Sequence, residues 1–213
     1  MSAYHIDRAR RHLVANEWPA ALEAAARAVE ASPDDAQAWY FKGTVEMAAK
    51  RPRDALASAS RATSLAPGDA KGWVLAGSAA QELGDTSAAR AAYERAVAEA
   101  PRWGLAWNRV GTLAFDAREF ARAEDAFMRA VECDPQHARS WNNLALARIE
   151  RGELEAAESA LKRALRIWPD YSMAYRNLAR IAAVRGDDGR RETYAILAAR
   201  IEAINAGEAA GMP

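Results

Sequence analysis

Five prolines constrain this chain more than any other feature: Pro33, Pro67, Pro101, Pro135 and Pro169 follow one another at steps of 34 residues, without a slip. A second series keeps the step, with Trp39, Trp73, Trp107 and Trp141 and then Tyr175. Four residues beyond each stand Gly43, Gly77, Gly111, Ala145 and Ala179. Two more series are alanines: Ala21, Ala55, Ala89, Ala123 and Ala157, then Ala28, Ala62, Ala96, Ala130, Ala164 and Ala198. Self-similarity at such a period means that each repeat is one supersecondary unit, too small to bury its own apolar face, and that neighbours stack to share a core.

Each series has a physical cause. A residue four places after the Trp shares its helical face, so Gly or Ala there lets a neighbouring helix approach closely. The alanines do the same on the second helix. Proline lacks an N–H and restricts the residue before it, which ends that helix. Gly84, Gly152 and Gly186 fall between the two helices, where a left-handed C-cap turns the chain. Helices alternating with short loops, and no β-branched runs, exclude a sheet. The fold class expected is therefore all-α, one array of hairpins at 2–35, 36–69, 70–103, 104–137 and 138–171 with a capping hairpin at 172–205. Residues 206–213 are expected to form a flexible tail.

The pattern of Trp, Gly or Ala, the two Ala positions, the bulky Tyr93 or Phe127 between them and the closing Pro resembles the tetratricopeptide repeat, over residues 2 to 205. The ends depart from it. His5 stands where the first Trp belongs and Arg8 where an apolar residue is expected, and Asn16 replaces the turn glycine. Gly189 and Arg191 stand where the last helix should carry small residues, and no Pro closes that hairpin. Atypical ends are what capping repeats need, since their outer faces meet water. The resemblance implies a right-handed superhelical solenoid of antiparallel helix pairs, its concave wall lined by the first helix of every repeat.

That wall would take the second, fifth, sixth, ninth, twelfth and thirteenth residues of each repeat, which form one helical stripe. In repeats two and three the stripe includes Gln37, Tyr40, Phe41, Thr44 and Met47, then Lys71, Val74, Leu75, Ser78 and Gln81. Tyr40, Phe41, Met47, Val74 and Leu75 either form an apolar groove that seats a partner's amphipathic helix or tighten packing between first helices. In repeats four to six the stripe includes Leu105, Asn108, Arg109 and Thr112, then Arg139, Asn142 and Asn143, then Arg176, Asn177 and Arg180. Such Asn ladders grip extended peptides in this family, because an amide offers both acceptor and donors; the alternative is that the same amides bridge helix to helix. The arginines suit acidic side chains or a C-terminal carboxylate, while Asp116 and Glu150 border the same wall. A clamp for chaperone tails, known in some family members, would place Lys, Asn and Arg where this chain has Asn108, Thr112, Asn143, Met173 and Asn177. Only Asn143 fits, so a clamp of that kind is not expected.

Other functions find little support. Lys plus Arg and Asp plus Glu balance at 29 each, whereas duplex binding draws its affinity from a basic excess, so nucleic acid is not an expected partner. The single cysteine, Cys133, excludes an internal disulfide and a thiolate zinc site; it reads as a small buried hydrophobe. His5 and His12 share a helix face without the further ligands a metal requires, so they read as packing or capping residues. No nucleophile–base pair or phosphate loop is brought together by the repeat, which argues against an enzyme and against a cofactor. Neither the first 18 residues nor any other window is apolar enough for a signal peptide or a membrane span, and a cytoplasmic setting is expected. Trp103 and Trp168, beside closing prolines, read as packing residues or interface anchors. The leading expectation is a scaffold or adaptor that binds a peptide segment of another protein. The alternative is a self-assembling module, a homo-oligomer built through its end repeats, with Tyr194, Leu197, Ile201 and Ile204 as an apolar stripe on the last helix.

Overall fold

The structure is a computed structural model that describes residues 2–207. Among these it contains twelve helices. The first helices of the six repeats are α1 (Ser2–Val14), α3 (Ala36–Ala48), α5 (Ala70–Glu82), α7 (Gly104–Asp116), α9 (Ala138–Glu150) and α11 (Ser172–Val184). Their partners are α2 (Trp18–Ala31), α4 (Pro52–Leu65), α6 (Thr86–Glu99), α8 (Phe120–Cys133), α10 (Leu154–Ile167) and α12 (Asp188–Asn205). The expected tail begins with a turn at Ala206 and Gly207, and 208–213 lie outside the described residues. The chain divides into two compact units, Met1–Arg102 and Trp103–Pro213, each holding three hairpins.

Two contacts explain why the series share one period. The indole N–H of three of these Trp residues reaches back to the carbonyl of the closing Pro six residues earlier: Trp39 to Pro33 at 2.7 Å, Trp73 to Pro67 at 2.8 Å and Trp141 to Pro135 at 3.0 Å. That bond satisfies a loop carbonyl and pins the start of the next repeat against the end of the last. The second contact is steric. A Cβ on Gly77 would lie 2.5 Å from the Tyr93 ring, and one on Gly111 would lie 2.6 Å from the Phe127 ring. Hairpin helices therefore close onto each other at a point with no side chain on one of them.

The hairpin turns share a backbone as well as a register. Gly84, Gly152 and Gly186 adopt φ of +79°, +79° and +72°, and the matching residues Asn16, Lys50 and Arg118 adopt +58°, +58° and +61°. Each is the left-handed residue that ends a first helix. In the turn at Gly84, Asp85 N–H donates to Ala80 O at 3.0 Å and Gly84 N–H to Gln81 O at 3.0 Å. A non-glycine side chain is strained in this region, yet the turn forms at Lys50 and Arg118 because packing on both sides fixes it.

Within each unit the hairpins stack through the second helix of one repeat and the first helix of the next, with first helices also in contact. In the C-terminal unit a continuous core includes Phe127, Leu144, Leu161, Leu178 and Ile181. Urea unfolding tests both backbone arguments at once. Gly111→Ala should lower stability by about 1–3 kcal/mol, because the ring has no room to withdraw. Lys50→Gly should raise it by about 0.5–1 kcal/mol by relieving the left-handed strain.

Candidate functional site

In the N-terminal unit, of the residues expected to form an apolar groove, Val74 and Leu75 are buried and Tyr40, Phe41 and Met47 are half-buried. Val74 and Leu75 are each only 8% exposed. The register shows why. Where Tyr93 and Phe127 cover Gly77 and Gly111, repeat two has Ala59 and no ring. A Gly43 Cβ would lie 3.2 Å from Ala55 O and from Ser58 Cβ of its own hairpin, and Leu75 of α5 also reaches it, with Cδ2 at 2.7 Å. Tyr40 and Met47 pack against the same cluster of Ala59, Leu75, Ala76 and Ala92. Phe41 packs among Ile6, Ala9, Ala28, Val29 and Val45, with the Arg10 guanidinium 5.7 Å from its ring centre.

In the C-terminal unit, the asparagines bridge helix to helix. Asn177 Nδ2 donates to Asn142 Oδ1 at 2.8 Å, and Asn143 Nδ2 donates to Asn108 Oδ1 at 3.2 Å. The sixth residue of one first helix thus meets the fifth of the helix before it. Asn108 goes on to donate to Ser140 Oγ at 2.6 Å, and that hydroxyl lies 2.7 Å from His137 Nδ1. Asn142 and Asn177, 2% and 7% exposed, and Asn108, 9% exposed, are thus enclosed by the contacts they make. A buried amide left unpaired is costly, so this ladder fixes the offset of α7, α9 and α11. Asn143 stands apart: it is half-buried, and its amide oxygen accepts no hydrogen bond among the described residues.

The arginines also divide. Arg176 pairs with Glu202 of α12, and Arg180 pairs with Glu150 of α9 at 2.7 Å. Arg109 and Arg139 are exposed and have no carboxylate partner among the described residues; the Arg139 guanidinium lies 5.9 Å from the Trp168 ring centre. Trp168, partly exposed, stacks on Tyr171 with ring centres 4.7 Å apart. Burial pushes the Tyr171 phenol above its usual range, against the opposing pull of Arg139. Between α7, α8 and α9 opens a cavity of about 150 Å³ lined by Thr112, Phe115, Phe127, Asn143 and Leu146. Thr112 donates to Asn108 O at 3.0 Å, one turn back on its own helix. On α7 and α9, the wall positions Leu105, Arg109 and Arg139 are exposed, and Thr112 and Asn143 are half-buried.

Two buried carboxylates escaped the sequence reading. Glu124 of α8 accepts from Arg148 Nε at 2.8 Å and from Arg151, which ties the fourth hairpin to the fifth. Glu46 accepts from Lys42 Nζ at 2.5 Å and from Ser58 Oγ at 2.6 Å. The signal was present: Glu46 and Arg148 interrupt a column of Ala80, Ala114 and Ala182, and Ser58 interrupts Ala24, Ala92, Ala126 and Ala160. Glu158 sits in the same kind of joint, where hydrogen bonds from Lys162 and Arg185 hold its carboxyl below the ordinary glutamate range. Elsewhere, His12 Nδ1 lies 2.6 Å from Glu17 Oε2, and no cluster of three His, Cys, Asp or Glu residues able to hold a metal occurs among the described residues. Cys133 is half-buried. No helix among these residues is long and apolar enough to cross a membrane.

Known proteins share this pattern. The tetratricopeptide-repeat family profile matches residues 6–70 and 74–138, and a second profile of the same description matches 126–159. The chain is a tetratricopeptide-repeat (TPR) protein. Among solved structures, MamA superposes with a TM-score of 0.65 at 22% identity, over 78% of this chain and 91% of that one. Pseudomonas aeruginosa pilF gives 0.81 at 15% identity over 94% and 91%. YrrB, a TPR protein with an unusual peptide-binding site, gives 0.67 at 19% identity over 88% and 99%. Likeness at these identities carries the fold alone. No curated protein matches the chain.

The ladder yields a direct check on the TPR stack. Asn142→Ala strands the Asn177 amide in a buried position and should lower urea stability by about 1–3 kcal/mol. Asn143→Ala, at the half-buried rim, should lower it by clearly less.

Proposed function

We propose that this TPR protein is a scaffold or adaptor whose C-terminal unit holds an extended peptide segment of a partner protein along α7, α9 and α11, without chemistry. The observation that carries the reading is the conjunction on α7 and α9. An apolar cavity has Asn143 on its rim with an open amide oxygen, and two exposed arginines on the same helices have no carboxylate partner. An extended chain needs such amides for its backbone and such a cavity for one side chain. The Asn108, Asn142 and Asn177 amides hold the wall in register, and Asn143 is the one that meets the ligand. Similarity to YrrB supports the reading, since that protein is described by its peptide-binding site.

A second reading, self-association through the end hairpins, rests on α12. Ile196 and Ile204 are 58% and 55% exposed there, and Leu197 is also open to solvent. Tyr194 turns inward beside Tyr175, with ring centres 6.4 Å apart, so only part of the expected stripe is available.

Affinity capture from lysate separates the two. Wild type is run beside the double variant Arg109→Glu, Asn143→Ala, with circular dichroism confirming equal helicity. The proposal expects a partner recovered by wild type and lost from the variant. Equal recovery by both would contradict the wall, and recovery of the protein's own chain alone would favour self-association.

A further inference from the structure

Resting on the peptide-binding reading above, we infer that the segment this wall takes is an internal, extended stretch with one aliphatic residue flanked by two acidic ones. The cavity sets the first requirement. Its side walls are Phe115, Phe127 and Leu146, with polar atoms only from Thr112 and Asn143. Thr112 already donates to Asn108 O, and three of the five lining side chains are apolar, so the cavity favours an apolar side chain. The volume of about 150 Å³ suits one aliphatic side chain such as leucine, isoleucine or methionine.

Electrostatics set the second requirement. Arg109 precedes Thr112 by three residues and Arg139 precedes Asn143 by four. Both therefore lie about one helical turn, ~5.4 Å, from the cavity rim toward the helix N-termini. Helix capping at that edge also differs between the two units. In repeats two and three, Asp35 and Asp69 cap α3 and α5, accepting from Gln37 N–H and Lys71 N–H. At the same register Trp103, His137 and Tyr171 precede α7, α9 and α11 without a side-chain cap. The cap carboxylates of α3 and α5 thus have aromatic rings in their place here, and no acidic residue occupies the first turn of any of the three helices, although Asp134 and Asp170 stand in the loops before α9 and α11 and Asp134 accepts from Gln136 N–H. The wall's own acids, Asp116 and Glu150, stand at the opposite ends of α7 and α9, and Glu150 is engaged by Arg180.

The two guanidiniums sit on separate helices, and packed helices lie about 8–10 Å apart. One terminal carboxylate would leave one of them unanswered. In an extended chain, residues i, i+2 and i+4 project from one face, which places an aliphatic residue in the cavity between two acids. The amide oxygen of Asn143 then accepts a backbone N–H beside the anchor.

Fluorescence anisotropy on the full chain tests this with fluorescein-Gly-Glu-Ser-Leu-Ser-Glu-Gly-amide. Companion peptides carry Lys for both Glu, Ala for Leu, or a free C-terminal carboxylate directly after the Leu. The inference expects the diacidic leucine peptide to bind about tenfold or more tighter than each companion. It also expects the Glu and Lys peptides to exchange rank on the Arg109→Glu, Arg139→Glu protein. Equal binding of the Glu and Lys peptides, with loss on Asn143→Ala, would overturn the acidic class while keeping the wall. Preference for the free carboxylate would overturn the internal segment. Binding to none of the four would overturn the ligand class, and the lysate capture above judges the wall separately.

Discussion

Two helices approach closely only where one of them gives up its side chain, and most of this protein follows from where that happens. Tyr93 on Gly77 and Phe127 on Gly111 leave no room for a Cβ, and Leu161 lies fully buried in the next repeat, whose matching residue is Ala145. The exception is Ala59. Without a ring there, Leu75 of α5 reaches Gly43 beside Ala55 and Ser58 of its own hairpin, so one wall position becomes core while Tyr40, Phe41 and Met47 stay half-buried. In the C-terminal unit, Phe127 does the filling from its own hairpin, and α7 and α9 keep a cavity between them.

The polar residues of the C-terminal unit work in two layers. Asn108, Asn142 and Asn177 are enclosed and bond across first helices, where each pairing avoids the cost of a stranded amide. Glu124 with Arg148 and Arg151, and Glu158 with Arg185, join neighbouring hairpins. These interactions fix how far each repeat is offset from the last. In the proposed reading, a wall held that firmly lets Asn143, Arg109 and Arg139 present donors and acceptors at a reproducible spacing, since a ligand gains affinity from groups that need no further ordering.

Much of this was legible in the sequence, and the rest was not for definite reasons. The 34-residue period, the glycine turns and the hairpin limits come from columns of one residue type, each with a local cause. The Asn ladder links residues 35 apart, not 34, so the repeat period left bridging open as an alternative without showing which asparagine meets which. The pairing of Arg176 with Glu202 and of Arg180 with Glu150 depends on side-chain reach between helices, which offsets do not encode. Likewise Lys50 and Arg118 hold a left-handed turn that their identities would not suggest; their column, shared with Gly84 and Gly152, was the available signal.

The central claim is that a partner lies against α7 and α9, and site-specific photocrosslinking addresses it most directly. Benzoylphenylalanine placed at Leu146, in the cavity wall, is compared with the same group at Glu132, on the exposed face of α8. The account predicts a partner crosslinked from position 146 and none from position 132. Crosslinks from 132 alone, or equally from both, would contradict it.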